Sequence, residues 1–123
     1  MTSILRKNYL LNLNLNYMEI IIKSVNFKTS NRLKELIIEK VNKLSHHSNT
    51  IIKAVVVLRE EEKNSHDNKS CEIKLMVPGY DHYTKKRTDL YEKSISLAVD
   101  TLQNTLLRTK NKLIAKRHSD DLL

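Results

Sequence analysis

Ser70 to Arg87 reads SCEIKLMVPGYDHYTKKR, and this stretch decides the fold. Cys71, Ile73, Leu75 and Val77 alternate with Glu72, Lys74 and Met76, the period of a half-buried strand whose successive side chains point to opposite faces. Pro78-Gly79, the chain's only proline and only glycine, makes the turn. Tyr80 to Arg87 is then long enough to return as a further strand, antiparallel to the one before it.

The rest of the fold follows outward from this pair. Upstream, Glu60 to Lys69 (EEEKNSHDNK) holds no apolar residue and is expected as an exposed hairpin loop with its carboxylates in water. Ile51 to Arg59 (IIKAVVVLR) is a β-branched run and reads as a strand. Ser30 can cap a helix, after which Leu33, Leu36, Ile37, Val41 and Leu44 recur at helical spacing. Met18 to Ser24 (MEIIIKS) is the first clear strand. Downstream, Tyr91, Ile95, Ala98, Leu102, Leu106 and Leu113 fall along one side of a second, longer helix running to about His118.

Short connections make the last three strands an antiparallel meander, while the first, joined through a helix, lies parallel beside the second. The expected architecture is an α+β two-layer sandwich, β-α-β-β-β-α, with a four-stranded sheet and both helices on one face. Residues 18–118 form the expected working domain and 119–123 a short tail. Residues 1–17, in which Leu and Asn alternate from Leu11 to Asn16, are read as an extension outside it, either an edge strand or a loose segment.

Composition narrows the function. With 123 residues, 40% apolar and 29% charged, the chain makes one modest core. No apolar run approaches the roughly 20 residues of a membrane helix. A single cysteine rules out an intrachain disulfide and suits a reducing, cytoplasmic setting. One glycine excludes a glycine-rich phosphate loop. No tryptophan and one phenylalanine argue against a platform of stacked bases. His46, His47, His66, His82 and His118 are scattered over separate elements, so no metal site is expected. Cys71 lies on the apolar row and reads as a core residue, not a nucleophile. Asp81 and His82 have no serine elbow beside them. The sequence therefore reads as a binding protein, with no enzyme activity and no cofactor.

Charge supplies the partner. From Thr84 to His118 stand nine Lys or Arg against three acids, a surplus of six out of the chain's net eight. A domain with its positive charge gathered in one region is suited to a polyanion. Arg108, Lys112 and Lys116 form one helical row and Lys110 with Arg117 another, while Lys85, Lys86 and Arg87 extend the region from the last strand. Charge on several sides suits phosphates on more than one strand of a folded RNA. A general double-stranded RNA-binding or RNA-chaperone module shares these features and stands as the alternative.

From Met18 to about His118 the chain resembles the short-form ribosome hibernation-promoting factors, also called ribosome-associated translation inhibitors. The matching pieces are IKSVNF at Ile22–Phe27, Ser30-x-x-Leu33, Lys40-Val-x-Lys43-Leu44 and Ile51-Ile52-x-Ala54-x-Val56-x-Leu58. They continue with EIKLMVPG at Glu72–Gly79 and with Ala98-Val99-Asp100-x-Leu102-x-x-x-Leu106-x-x-x-Lys110-x-Lys112-Leu113. The resemblance implies binding of the small ribosomal subunit and its rRNA in competition with messenger and transfer RNA. It assigns phosphate contacts to Lys85, Lys86, Arg108, Lys110 and Lys112, extended by Lys116 and Arg117, and the charge reading adds Arg87 to the expected RNA-binding set. The free protein is expected to be a monomer, and no membrane partner is expected.

There are departures. Val25 and Asn26 stand where many relatives carry Arg-His or Lys-Asn, and Asn104 and Leu107 where several carry Arg or Lys. The long form's C-terminal dimerisation domain has no counterpart in these 123 residues, so ribosome pairing through this chain's own dimerisation is not expected.

Overall fold

The alternation of Ser70–Val77 sets the frame of the sheet. In the computed structural model, which describes residues 2–6, 18–48 and 50–121, with side chains over 18–48 and 50–116, it forms the inner strand of a hairpin. The elements are β1 (Thr2–Arg6), β2 (Glu19–Val25), α1 (Asn31–Asn42) continued by a 3-10 turn (Lys43–His46), β3 (Lys53–Glu60), β4 (Lys69–Val77), β5 (Tyr80–Thr88) and α2 (Tyr91–Asp121).

The strands lie side by side in the order β1-β2-β3-β4-β5. β2 and β3 are parallel, and β3, β4 and β5 form the expected antiparallel meander. The four-stranded sheet is present, with a fifth strand added: Thr2–Arg6 pairs antiparallel with β2, Ile4 opposite Ile21. Part of the N-terminal extension is thus an edge strand, a role left open by the sequence.

The register stacks apolar residues into transverse rows. Ile20, Ala54 and Leu75 form one, Ile22, Val56 and Ile73 the next, and Leu58 and Cys71 continue the pattern, all of them buried. Ile37, Val41 and Leu44 from the first helical segment join the same core as Ile95, Ala98, Val99, Leu102 and Leu106 of α2. Each fully buried Ile or Leu contributes about 1.5–3 kcal/mol, so this one face carries most of the stabilisation. Ser30 caps α1 as expected, accepting from the Leu33 N–H at 3.2 Å.

Leu113 departs from expectation. It follows the apolar stripe of α2 but is 52% exposed, because the sheet ends before the helix does.

Two backbone positions need a left-handed conformation. Gly79 turns the β4–β5 hairpin at φ +95°, where an L side chain is strained even though a Cβ would meet no neighbour. Asn26 adopts φ 71° and donates from Nδ2 to the Glu60 carbonyl at 3.0 Å, tying the end of β2 to the end of β3.

The polar Glu60–Lys69 stretch is more built than its composition suggested. Glu60 ends β3, Lys69 opens β4, and their side chains pair at 3.2 Å. Between them the Glu61 N–H donates to the Asn68 carbonyl at 2.8 Å, and the buried Asn68 amide donates to the Glu62 carbonyl at 3.0 Å. Backbone and amide groups close the loop without an apolar residue.

Candidate nucleic-acid interface

α2 is a lever with one anchored half. Ser94 fixes its start, donating to the Lys69 carbonyl at 2.6 Å and sharing a hydrogen bond with Thr88 at 2.8 Å. Ile95, Ala98, Val99, Leu102 and Leu106 hold it to the sheet. Beyond them Arg108 and every residue from Lys110 to Lys116 are exposed. The projecting end therefore keeps a cationic surface in solvent on a helix whose other half is locked in the core.

Helical arithmetic assigns each cation a side. Eighteen residues are five full turns at 3.6 per turn. Lys112 therefore points the same way as Ser94, toward the β5 side, and Arg108 and Lys116 flank it in one row about 12 Å long. Lys110 repeats the direction of Glu92, on the α1 side, where Glu92 and Arg32 border one groove. Among the described residues no ion pair engages Arg108, Lys110, Lys112 or Lys116; the lysines that do pair are Lys69, Lys74, Lys85 and Lys93. Arg117 continues the helix, but its side chain lies outside the described residues.

The three β5 cations do not stand together. Strand alternation puts Lys85 and Arg87 on the face away from the helices and the half-buried Lys86 on the helix-bearing face, in the row of Cys71. Lys85 Nζ lies 2.9 Å from Glu61 Oε1 and 3.7 Å from Glu72 Oε1. The hydrogen bond to Glu61 raises the Lys85 ammonium above its ordinary value, and the same contact holds the Glu61 carboxyl below its own. Arg87 donates from Nε to the Asp67 carbonyl at 2.6 Å, bracing the β3–β4 loop.

A cleft that the sequence reading did not foresee opens under the projecting half of α2, with a volume of about 540 Å³. Its walls are the end of the 3-10 turn, the β4–β5 hairpin and α2 itself, which bring together His46, His47, His82, Tyr80, Lys110 and Leu113. Tyr80 and His82 meet edge to face with ring centroids 4.9 Å apart. No local motif marks this assembly, since its members are spread over some seventy positions and converge only in the fold. Cys71 is fully buried, and burial pushes its thiol up to about 12, in keeping with a core role.

No curated protein sequence matches this chain. Among solved structures it is similar to the N-terminal domain of Protein Y from Thermus thermophilus, at 20% identity and a TM-score of 0.63, covering 72% of this chain and 93% of that one. It is also similar to a ribosomal subunit interface protein from Coxiella burnetii, at 18% identity and a TM-score of 0.66, covering 75% and 97%. At such identities these likenesses establish the fold. The sequence itself matches the family described as Sigma 54 modulation protein / S30EA ribosomal protein over residues 20–114, well over half its length, from β2 into the projecting end of α2. The chain belongs to that family, the ribosome hibernation-promoting factors that its motifs resemble.

Proposed function

We propose that this protein is a ribosome-associated inhibitor that docks on the small subunit through the projecting half of α2 and obstructs the channel for messenger and transfer RNA. The observation that carries this reading is the set of four exposed cations, Arg108, Lys110, Lys112 and Lys116, unpaired among the described residues and carried on a helix anchored by its other half. A helical backbone already formed spares the cost of ordering the main chain on binding, while each long Lys or Arg side chain immobilised on a phosphate costs about 0.5–1.5 kcal/mol. Inhibition then follows from mutually exclusive occupancy and needs no reaction.

Arg117 continues the helix that carries the rim, whereas Lys86 lies toward the anchored start of α2 and Arg87 on the face away from the helices, so these two stand apart from it. Lys85 is engaged by Glu61 and Glu72 and adds little. The names of the similar solved proteins, a ribosomal subunit interface protein among them, support the ribosome as the partner. No helix among the described residues is long and apolar enough to cross a membrane.

The test is competition on purified ribosomes. The reading expects the protein to co-sediment with small subunits, to be displaced by initiator transfer RNA, and to be indifferent to long duplex RNA. Four phosphate contacts give a log–log salt slope of about 3 to 4. Displacement by any duplex, with no effect of transfer RNA, would instead identify a general double-stranded RNA-binding module.

A further inference from the structure

We propose that the cleft beneath α2 binds a single nucleotide unit, its phosphate held by Lys110 and the imidazoles and its base packed between Tyr80 and Leu113. The inference deepens the reading above by naming a second contact surface, and it rests on that reading only for where the nucleotide comes from.

The class of ligand follows from what lines the cleft. Among the described lining residues there is no carboxylate, whereas one ammonium and three imidazoles are present. The nearest acid in sequence, Asp81, is turned to the opposite face of β5, its Oδ2 3.4 Å from Lys74 Nζ. The histidines do not form a cation site, since no group of three or more His, Cys, Asp or Glu among the described residues is arranged to hold a metal. An acid-free, donor-rich cleft is matched to an anion.

Donor accounting sharpens this. The Ser45 hydroxyl donates to the Asn42 carbonyl at 2.7 Å and that of Thr109 to the Thr105 carbonyl at 3.0 Å. Ser48 and Thr50 share one hydrogen bond at 2.9 Å, which leaves one hydroxyl proton between them. The ring N–H groups of His46 and His47 and the Lys110 ammonium have no partner among the described residues, the His47 backbone N–H being taken by the Leu44 carbonyl at 3.0 Å. Each imidazole keeps at least one N–H donor in either protonation state, so a phosphate's oxygens would meet several donors at once.

The apolar side of the cleft explains why the ligand carries a base. Tyr80 is 50% exposed yet held edge-on by His82, and Leu113, 52% exposed, lies on the α2 wall. An aromatic face held in a fixed attitude opposite an aliphatic wall accepts a planar heterocycle, and about 540 Å³ falls within the usual size of a small-molecule site.

The test is a titration of the full chain followed by backbone amide NMR, with inorganic phosphate, each nucleoside 5′-monophosphate and a short single-stranded RNA as separate ligands. The proposal expects nucleotide-induced shifts at Ser45–Ser48, Tyr80–His82 and Thr109–Leu113, with weaker binding of phosphate alone. The Tyr80→Ala/His82→Gln double variant, folded by circular dichroism, should bind monophosphates about tenfold more weakly. If that variant also loses affinity for small subunits, the bound unit belongs to rRNA; if subunit affinity is unchanged, the cleft takes a free nucleotide. Shifts confined to the Arg108, Lys112 and Lys116 row, or monophosphate binding unchanged in the double variant, would overturn the proposal. Failure of the wild-type protein to bind ribosomes would remove the proposed function and leave the monophosphate result standing.

Discussion

Lys85 and Glu61 form an ion pair of 2.9 Å on the sheet face opposite the helices, with Glu72 a second partner at 3.7 Å. This contact separates Lys85 from Arg108, Lys110, Lys112 and Lys116 of α2, which have no such partner among the described residues. With side chains 40% and 20% exposed, a pair of this kind is worth at most about 1 kcal/mol. Lys85→Met is therefore expected to lower stability by less than about 1 kcal/mol and to leave small-subunit affinity within about twofold. Urea unfolding and co-sedimentation at fixed salt measure the two effects separately.

The same pair sets a pH dependence. Contact with Lys85 holds the folded Glu61 carboxyl below its ordinary value, so its stabilisation is present above the unfolded carboxylate value and lost as pH falls through the lower folded one. Lys85 is raised in the fold, so its share is present at neutral pH and fades only as the solution becomes strongly alkaline. The stability gap between wild type and Lys85→Met should be open at pH 7 and narrow as pH falls below the ordinary glutamate range, as read from urea midpoints. A gap of equal size at pH 7 and below that range would mean that the pair is not its source.

Tyr91 carries a buried hydroxyl with no hydrogen-bond partner among the described residues, while its ring stacks on Phe27 at 4.4 Å and lies 5.7 Å from Lys69 Nζ. The ring is the useful part. Tyr91→Phe should be neutral or stabilising by up to about 1 kcal/mol, because it removes an unsatisfied polar group and keeps the stack. Burial pushes the Tyr91 phenol up to about 12. Its folded value is thus raised, so stability is intact below the ordinary tyrosine value near 10 and declines as pH rises toward about 12. Thermal melts across that range should show a shallower decline for Tyr91→Phe.

Cys71 is fully buried in the apolar row, with its thiol pushed up to about 12 by burial. Native protein should not react with a thiol reagent at pH 8, and labelling should track unfolding as urea is added. Fast labelling of the native state would show that the row opens locally.

Most of the fold was legible because it rests on two periods. Alternation in Ser70–Val77 and helical spacing from Leu33 to Leu44 each specify a face, and the faces have one way to meet. Strand β1 was not legible: Thr2–Arg6 (TSILR) has no distinctive alternation, and only its register with β2 reveals it. The polar Glu60–Lys69 stretch is the mostly exposed hairpin loop its composition indicates, but composition does not report the backbone closed by Asn68 or the pairing of Glu61 with Lys85. For the site, the α2 cations and their projection could be read from the thinning of apolar residues after Leu106. The opposite orientations of Lys85 and Lys86 follow from strand period, but the Glu61 partner does not, and the histidine cleft depends on tertiary convergence alone.

The most direct test of the central claim is co-sedimentation of an Arg108→Glu/Lys112→Glu variant with small ribosomal subunits. Both residues are exposed and unpaired among the described residues, so the variant should fold normally by circular dichroism and melt within a few degrees of wild type. Reversing two phosphate contacts in one row should reduce binding by about a hundredfold or more at moderate salt. Retention of wild-type co-sedimentation at the same salt would contradict the account, since the surface it relies on would then play no part in holding the protein to the ribosome.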